Sequence, residues 1–83
     1  MRQSERYVER FQGIGEVLKR FRLEAGLSFS KIAAHLGVSQ VAVWKHEAGQ
    51  SIPSLKMLGR YSVVHGGRFK QYLTKHYGVS WND

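Results

Sequence analysis

The stretch from Ser28 to Gly49, SFSKIAAHLGVSQVAVWKHEAG, constrains this chain more than any other. Ser28 is placed to cap a helix whose residues Ile32, Ala33 and Leu36 share one face. Gly37 stands where that helix must stop, because only glycine enters the left-handed backbone region cheaply. Val38 fills the corner, and Ser39 caps a second helix by accepting from its free N–H groups. The second helix turns Val43 inward and leaves Gln40, Val41, Trp44, Lys45 and Ala48 on other faces. Two short helices joined at a tight Gly-Val-Ser corner are therefore expected. The rest of the chain has to cover their inner faces.

Upstream, residues 14–25 carry Ile14, Val17, Leu18, Phe21 and Ala25 at helical spacing, with Gly26 as the stop. Residues 1–12 alternate charge with Tyr7, Val8 and Phe11, and Ser4 is placed to cap a short helix there. Either that segment is a frayed or docked solvated helix, or Arg2, Arg6 and Arg10 form an arm that follows DNA. Gly13 and Gly15 interrupt its continuation, and either suits a helix start. Downstream, Pro53 suits the first turn of a helix over about 54–64 with Leu55, Leu58, Tyr61 and Ser62 inward. Gly66-Gly67 ends it. A last helix covers about 68–77, and Gly78 caps it so that Val79 folds back. The fold class expected is all-α, a compact five-helix bundle, with an extra N-terminal turn as the variable element. Its divisions are an arm or short helix over 1–13, a core over 14–66, and a helix and tail over 67–83.

The chain has 83 residues, which suits one small domain. Thirteen Lys and Arg oppose six Asp and Glu, for a net charge of +7. That balance favours a polyanionic partner, nucleic acid before an anionic membrane surface. The absence of cysteine excludes a disulfide framework and Cys-based zinc sites and fits a reducing cytoplasm. No apolar run approaches the roughly 18 residues of a membrane span. The polar, charged N-terminus is unlike a secretory signal. His35, His46, His65 and His76 show no metal-ligand spacing, and no phosphate-cradling loop is present, so neither an enzyme nor a metal or cofactor site is expected.

The motif residues, taken together, make the helix-turn-helix pattern. From Ile14 to about Gly66 the chain resembles the phage-repressor and Cro-like helix-turn-helix domains, also called the xenobiotic-response-element type. The resemblance is carried by Val17, Leu18, Phe21-Arg22, Gly26-Leu27-Ser28, Ile32-Ala33, Leu36-Gly37-Val38-Ser39, Val43, Glu47, Gly49 and Pro53-Ser54, without a gap. It implies a bundle of that type with the helix-turn-helix at its second and third helices. It also implies a partly buried salt bridge between Arg22 and Glu47. The chain departs from the family pattern at Phe29, where Gln usually meets a phosphate, and at Trp44, usually a polar position. It departs again at His46, usually apolar, whose ring is expected to cover the core edge with a nitrogen in water.

The resemblance further implies double-stranded DNA as partner, with the helix over 39–48 in the major groove. Gln40 is the best direct reader, since its amide can pair with adenine N6 and N7 together. Lys45 suits guanine or a phosphate, and Val41 a thymine methyl. Trp44 suits a methyl or the sugar-phosphate, or else packing against a dimer partner or another helix. Ser39 is expected at a phosphate, with Lys31, Gln50, Ser51 and Lys56 either flanking the backbone or merely solvated. Such domains bind as two-fold dimers on palindromes, so a homodimer acting as a repressor is expected. The band of Phe69, Tyr72, Leu73, Tyr77 and Trp81 supplies dimer candidates, with Phe69 and Leu73 assigned to the core and Tyr72, Tyr77 and Trp81 left for the interface. The alternative is an antitoxin-like module that holds a protein partner through this band and represses its own operon.

Overall fold

The structure is a computed structural model that describes residues 5–81. Its elements are α1 (Glu5–Arg10), α2 (Ile14–Glu24), α3 (Phe29–Leu36), α4 (Gln40–Ala48), α5 (Leu55–His65) and α6 (Gly67–Tyr77). The all-α expectation holds, and no strand occurs among the described residues. There are six helices rather than five: the variable N-terminal turn is a formed helix, so the motif helices are α3 and α4. Arg2 and the cap proposed at Ser4 lie outside the described residues.

Local signals in the chain set the helix ends. Ser28, Ser39 and Ser54 each accept from the backbone N–H three residues on, at 3.1 Å, capping α3, α4 and α5. Gly37 and Gly49 close α3 and α4 in the left-handed region, at φ 72° and 78°. At the end of α6 the Val79 N–H returns to the Leu73 carbonyl at 3.3 Å, and Val79 is buried as expected. Gly66 both ends α5 and precedes α6, which begins at Gly67.

One core joins all parts of the chain. Phe11, Ile14, Val17, Leu18, Ile32, Ala33, Leu36, Val43, Leu58, Tyr61, Phe69, Leu73 and Val79 are buried together. Phe69 and Leu73 thus belong to the core, as assigned. Two inward assignments are corrected: Ala25 is exposed, and Leu55 is 48% exposed. Each lies at a helix end, where periodicity still counts a residue but neighbouring elements no longer cover it. Val38 at the corner is half-buried rather than buried.

Helices α2 and α4 approach each other closely at Gly15. A Cβ built on Gly15 would lie 2.6 Å from the Glu47 carbonyl oxygen and 2.7 Å from that of His46. Gly15 therefore lets the start of α2 lie directly on the last turn of α4. Meanwhile α1 is held at three places. The Tyr7 hydroxyl donates to the Pro53 carbonyl at 2.7 Å, Phe11 is buried, and Arg10 donates to the Tyr77 and Gly78 carbonyls at 3.0 and 2.9 Å. The docked-helix alternative describes residues 5–12, and Arg10 completes the end of α6 instead of reaching outward.

Candidate nucleic-acid interface

Position on α4 follows from what that helix buries. Val43, His46 and Glu47 point inward, and the opposite side is left to solvent. Gln40, Val41, Trp44 and Lys45 are all exposed, as are Ser39, Lys31, Gln50, Ser51 and Lys56. The structure thus brings the expected base-reading residues onto one helix and leaves each expected phosphate contact open. The Ser39 oxygen accepts from Ala42, which leaves the hydroxyl proton free to donate outward. Beyond α4, the Gln50 and Ser51 N–H groups return to the Lys45 carbonyl at 2.9 and 3.3 Å, pinning that loop to the helix end.

What holds α4 at its angle is the Arg22–Glu47 pair. Arg22 Nε donates to Glu47 Oε2 at 2.7 Å and Nη2 to Oε1 at 3.1 Å, a two-pronged pairing between α2 and α4. Arg22 Nη1 also donates to the Leu27 carbonyl at 3.0 Å, so the guanidinium clamps the α2–α3 turn as well. The side chains are 9% and 5% exposed, so water screens the pair little. Phe29 contributes to this. Its ring lies 4.1 Å from the Arg22 guanidinium carbon and covers the cation. A residue expected only to lose a phosphate contact thus shields the ion pair, and its ring shares a cleft with Trp44, Lys19 and Glu16.

His46 has a partner that its expectation did not name. It is buried, and its Nδ1 lies 3.0 Å from the Tyr61 hydroxyl on α5. Burial pushes the His46 pKa down, partly opposed by the Glu47 charge. Tyr61 is pushed up by burial and by Glu47, with Arg22 opposing, so it stays a neutral hydroxyl. His65 stacks beside Tyr61 with ring centroids 6.2 Å apart, and its pKa is lowered by burial against the pull of Glu47.

The dimer candidates are half-buried within the protomer. Tyr77 stacks on Phe11 at 5.6 Å and donates to the Gln12 carbonyl at 3.3 Å. Trp81 folds back so that its indole N–H reaches the Lys70 carbonyl at 3.1 Å and Thr74 Oγ1 at 3.0 Å. Tyr72 pairs with His76 at 4.2 Å. Their remaining outer surfaces are what a second subunit would meet.

Charge distribution is the feature that residue-by-residue reading missed. Between Ala25 and Asn82 the only acidic residue is Glu47, while Lys31, Lys45, Lys56, Arg60, Arg68, Lys70 and Lys75 all fall in that span. Glu47 is buried and paired, so α3 to α6 present no free carboxylate to solvent. Counting charge by segment would have found it. Arg60 is partly used inside the fold, since its Nη1 donates to the Leu36 carbonyl at the end of α3 at 3.2 Å. Among the described residues no cluster of His, Asp or Glu suits a metal, and no helix is long and apolar enough to cross a membrane.

A family model described as a helix-turn-helix domain matches residues 14–67. No curated protein and no solved structure matches the chain. The matched segment runs from the first residue of α2 to the first of α6 and covers well over half of the chain, including both motif helices, the Arg22–Glu47 clamp and every residue of the exposed α4 edge. The chain belongs to the helix-turn-helix domain family.

Proposed function

We propose that this protein is a sequence-specific, double-stranded DNA-binding transcription regulator of the phage-repressor and Cro-like type. It acts as a repressor, as a homodimer on a palindromic operator. The observation that carries the reading is the exposed edge of α4. Gln40, Val41, Trp44 and Lys45 stand outward on a helix clamped from behind, in a chain segment, α3 to α6, whose one carboxylate is buried. A phosphate backbone meets cations and capped helix starts there, and the acidic neighbour is Glu16 of α2, in the cleft beside Trp44 with Lys19.

In this reading α4 lies in the major groove, with its N-terminal half against base edges. Gln40 reads adenine and Lys45 guanine or a phosphate, while Ser39, Lys31, Gln50, Ser51 and Lys56 fix the register on the backbone. One such domain reads only a few base pairs. Two copies related by a two-fold axis double the site, and Tyr72, Tyr77 and Trp81 offer the contact. The protein works without cofactor or catalysis, in the cytoplasm. Occupation of the groove by a dimer excludes other proteins from the same DNA, which is repression in its simplest form.

Selection of bound duplexes from a random library at near-physiological salt tests this. The expected result is an enriched palindrome with half-site centres about 34 Å, one helical turn, apart. Recovery of duplexes with no shared sequence would contradict it.

A further inference from the structure

Helix α1 lies outside the matched segment, yet it reaches the loop that follows α4. In the proposed function that loop, residues 49–54, meets phosphate through Gln50 and Ser51, both exposed. A loop that must be ordered on binding costs affinity, so what fixes its shape beforehand matters. Its start is pinned by the Gln50 and Ser51 N–H groups on the Lys45 carbonyl. Its end carries Pro53, which is buried and has no N–H to give. The Pro53 carbonyl accepts from the Tyr7 hydroxyl at 2.7 Å.

Tyr7 is well placed to hold it. Its ring lies against buried Phe11, with centroids 4.7 Å apart, and Tyr77 stacks on Phe11 in turn. Arg10 fastens the same helix to the end of α6. The hydroxyl thus reaches the loop from a helix already fixed elsewhere. Burial raises the Tyr7 pKa, against the pull of Arg10, so the oxygen keeps the proton it donates. Val8 and Phe11 also line one cleft with Gly49 and Ile52, so helix and loop share a boundary.

We propose that Tyr7 is a positioning residue for DNA binding: its bond to Pro53 holds the loop so that Gln50 and Ser51 reach the phosphate backbone. The proposal rests on the DNA-binding reading above and adds to it a helix from outside the motif. Tyr7 acts through the loop and not by touching DNA.

Tyr7→Phe tests this, because it removes one oxygen and keeps the ring on Phe11. The first readout needs no DNA. Amide hydrogen exchange of the full chain should show Gln50 and Ser51 exchanging about fivefold faster, the value of one net hydrogen bond. A merely global loss of stability would speed the core amides and leave these two as they were. The second readout is fluorescence anisotropy, well below the melting temperature of both proteins. Tyr7→Phe should bind the selected duplex and a scrambled one about fivefold more weakly alike. Its salt slope should stay unchanged, since Gln50 and Ser51 carry no charge. In a Gln50→Ala, Ser51→Ala background Tyr7→Phe should add no further loss. The proposal is overturned if loop exchange is unaltered, if Tyr7→Phe binds both duplexes as the unaltered protein does, or if its loss persists in full without Gln50 and Ser51. If the unaltered protein binds no duplex, the DNA-binding reading fails and takes this proposal with it.

Discussion

Arg22 on α2 holds Glu47 on α4 through two hydrogen bonds, at 2.7 and 3.1 Å, between side chains almost closed to solvent. The pair fixes the exposed helix against the one that precedes the motif. Removing one partner leaves the other charge buried and alone. Arg22→Met or Glu47→Leu should each cost about 3–5 kcal/mol, read from chemical denaturation midpoints. The double substitution should recover much of that loss, because neither charge is then stranded. A double variant as unstable as the sum of the two would refute the coupling.

Gly15 makes a second prediction at the same joint. A methyl group there would meet backbone oxygens of His46 and Glu47 well inside contact distance, and backbone cannot move aside as a side chain does. Alanine normally gains about 1 kcal/mol over glycine inside a helix. Here Gly15→Ala should instead destabilise by about 1–3 kcal/mol, as overpacking does. Thermal melts of the two proteins check the sign.

His46 and His65 make stability depend on pH. Burial lowers both pKa values in the folded protein, with Glu47 opposing, while the unfolded chain keeps the ordinary 6.5. Between the lowered value and 6.5 the unfolded chain binds more protons. The stabilisation is therefore complete above 6.5 and is lost as pH falls through that window. The melting temperature should drop from about pH 7.5 to about pH 5, the range in which histidine titrates. His65→Phe, which keeps a ring beside Phe21, Tyr61 and Phe69, should flatten the fall.

Lys31 lies exposed in the first turn of α3, the other motif helix. Its expected contact is with phosphate. Lys31→Ala should weaken binding to all duplexes alike and lower the slope of log affinity against log salt by about 1. A change in the preferred sequence would place Lys31 at a base instead.

The caps were legible because their causes are local. A serine three residues before a helical N–H, or a glycine at a left-handed end, needs no distant partner, and Ser28, Gly37 and Ser39 behave as their chemistry dictates. Arg22 and Glu47 are 25 residues apart, and only the family resemblance joined them. Contacts specific to this chain stayed hidden. Tyr7 reaches Pro53 across 46 residues, and Arg10 reaches Gly78 across 68. Nothing in the local pattern of residues 5–11 names either target. The partner of His46 stayed hidden for the same reason: Tyr61 lies on another helix. The face of α4 was readable because burial of Val43 and Glu47 determines what remains outside.

In the proposed function Gln40, on the exposed edge of α4, reads a base. Anisotropy titrations of the unaltered protein and Gln40→Ala, each against the selected duplex and a scrambled one, test it most directly. Gln40→Ala should lose about 1–3 kcal/mol on the selected duplex and nothing on the scrambled one. Equal affinity of both proteins for the selected duplex, with preference unchanged, would contradict it and move the recognition surface off this helix.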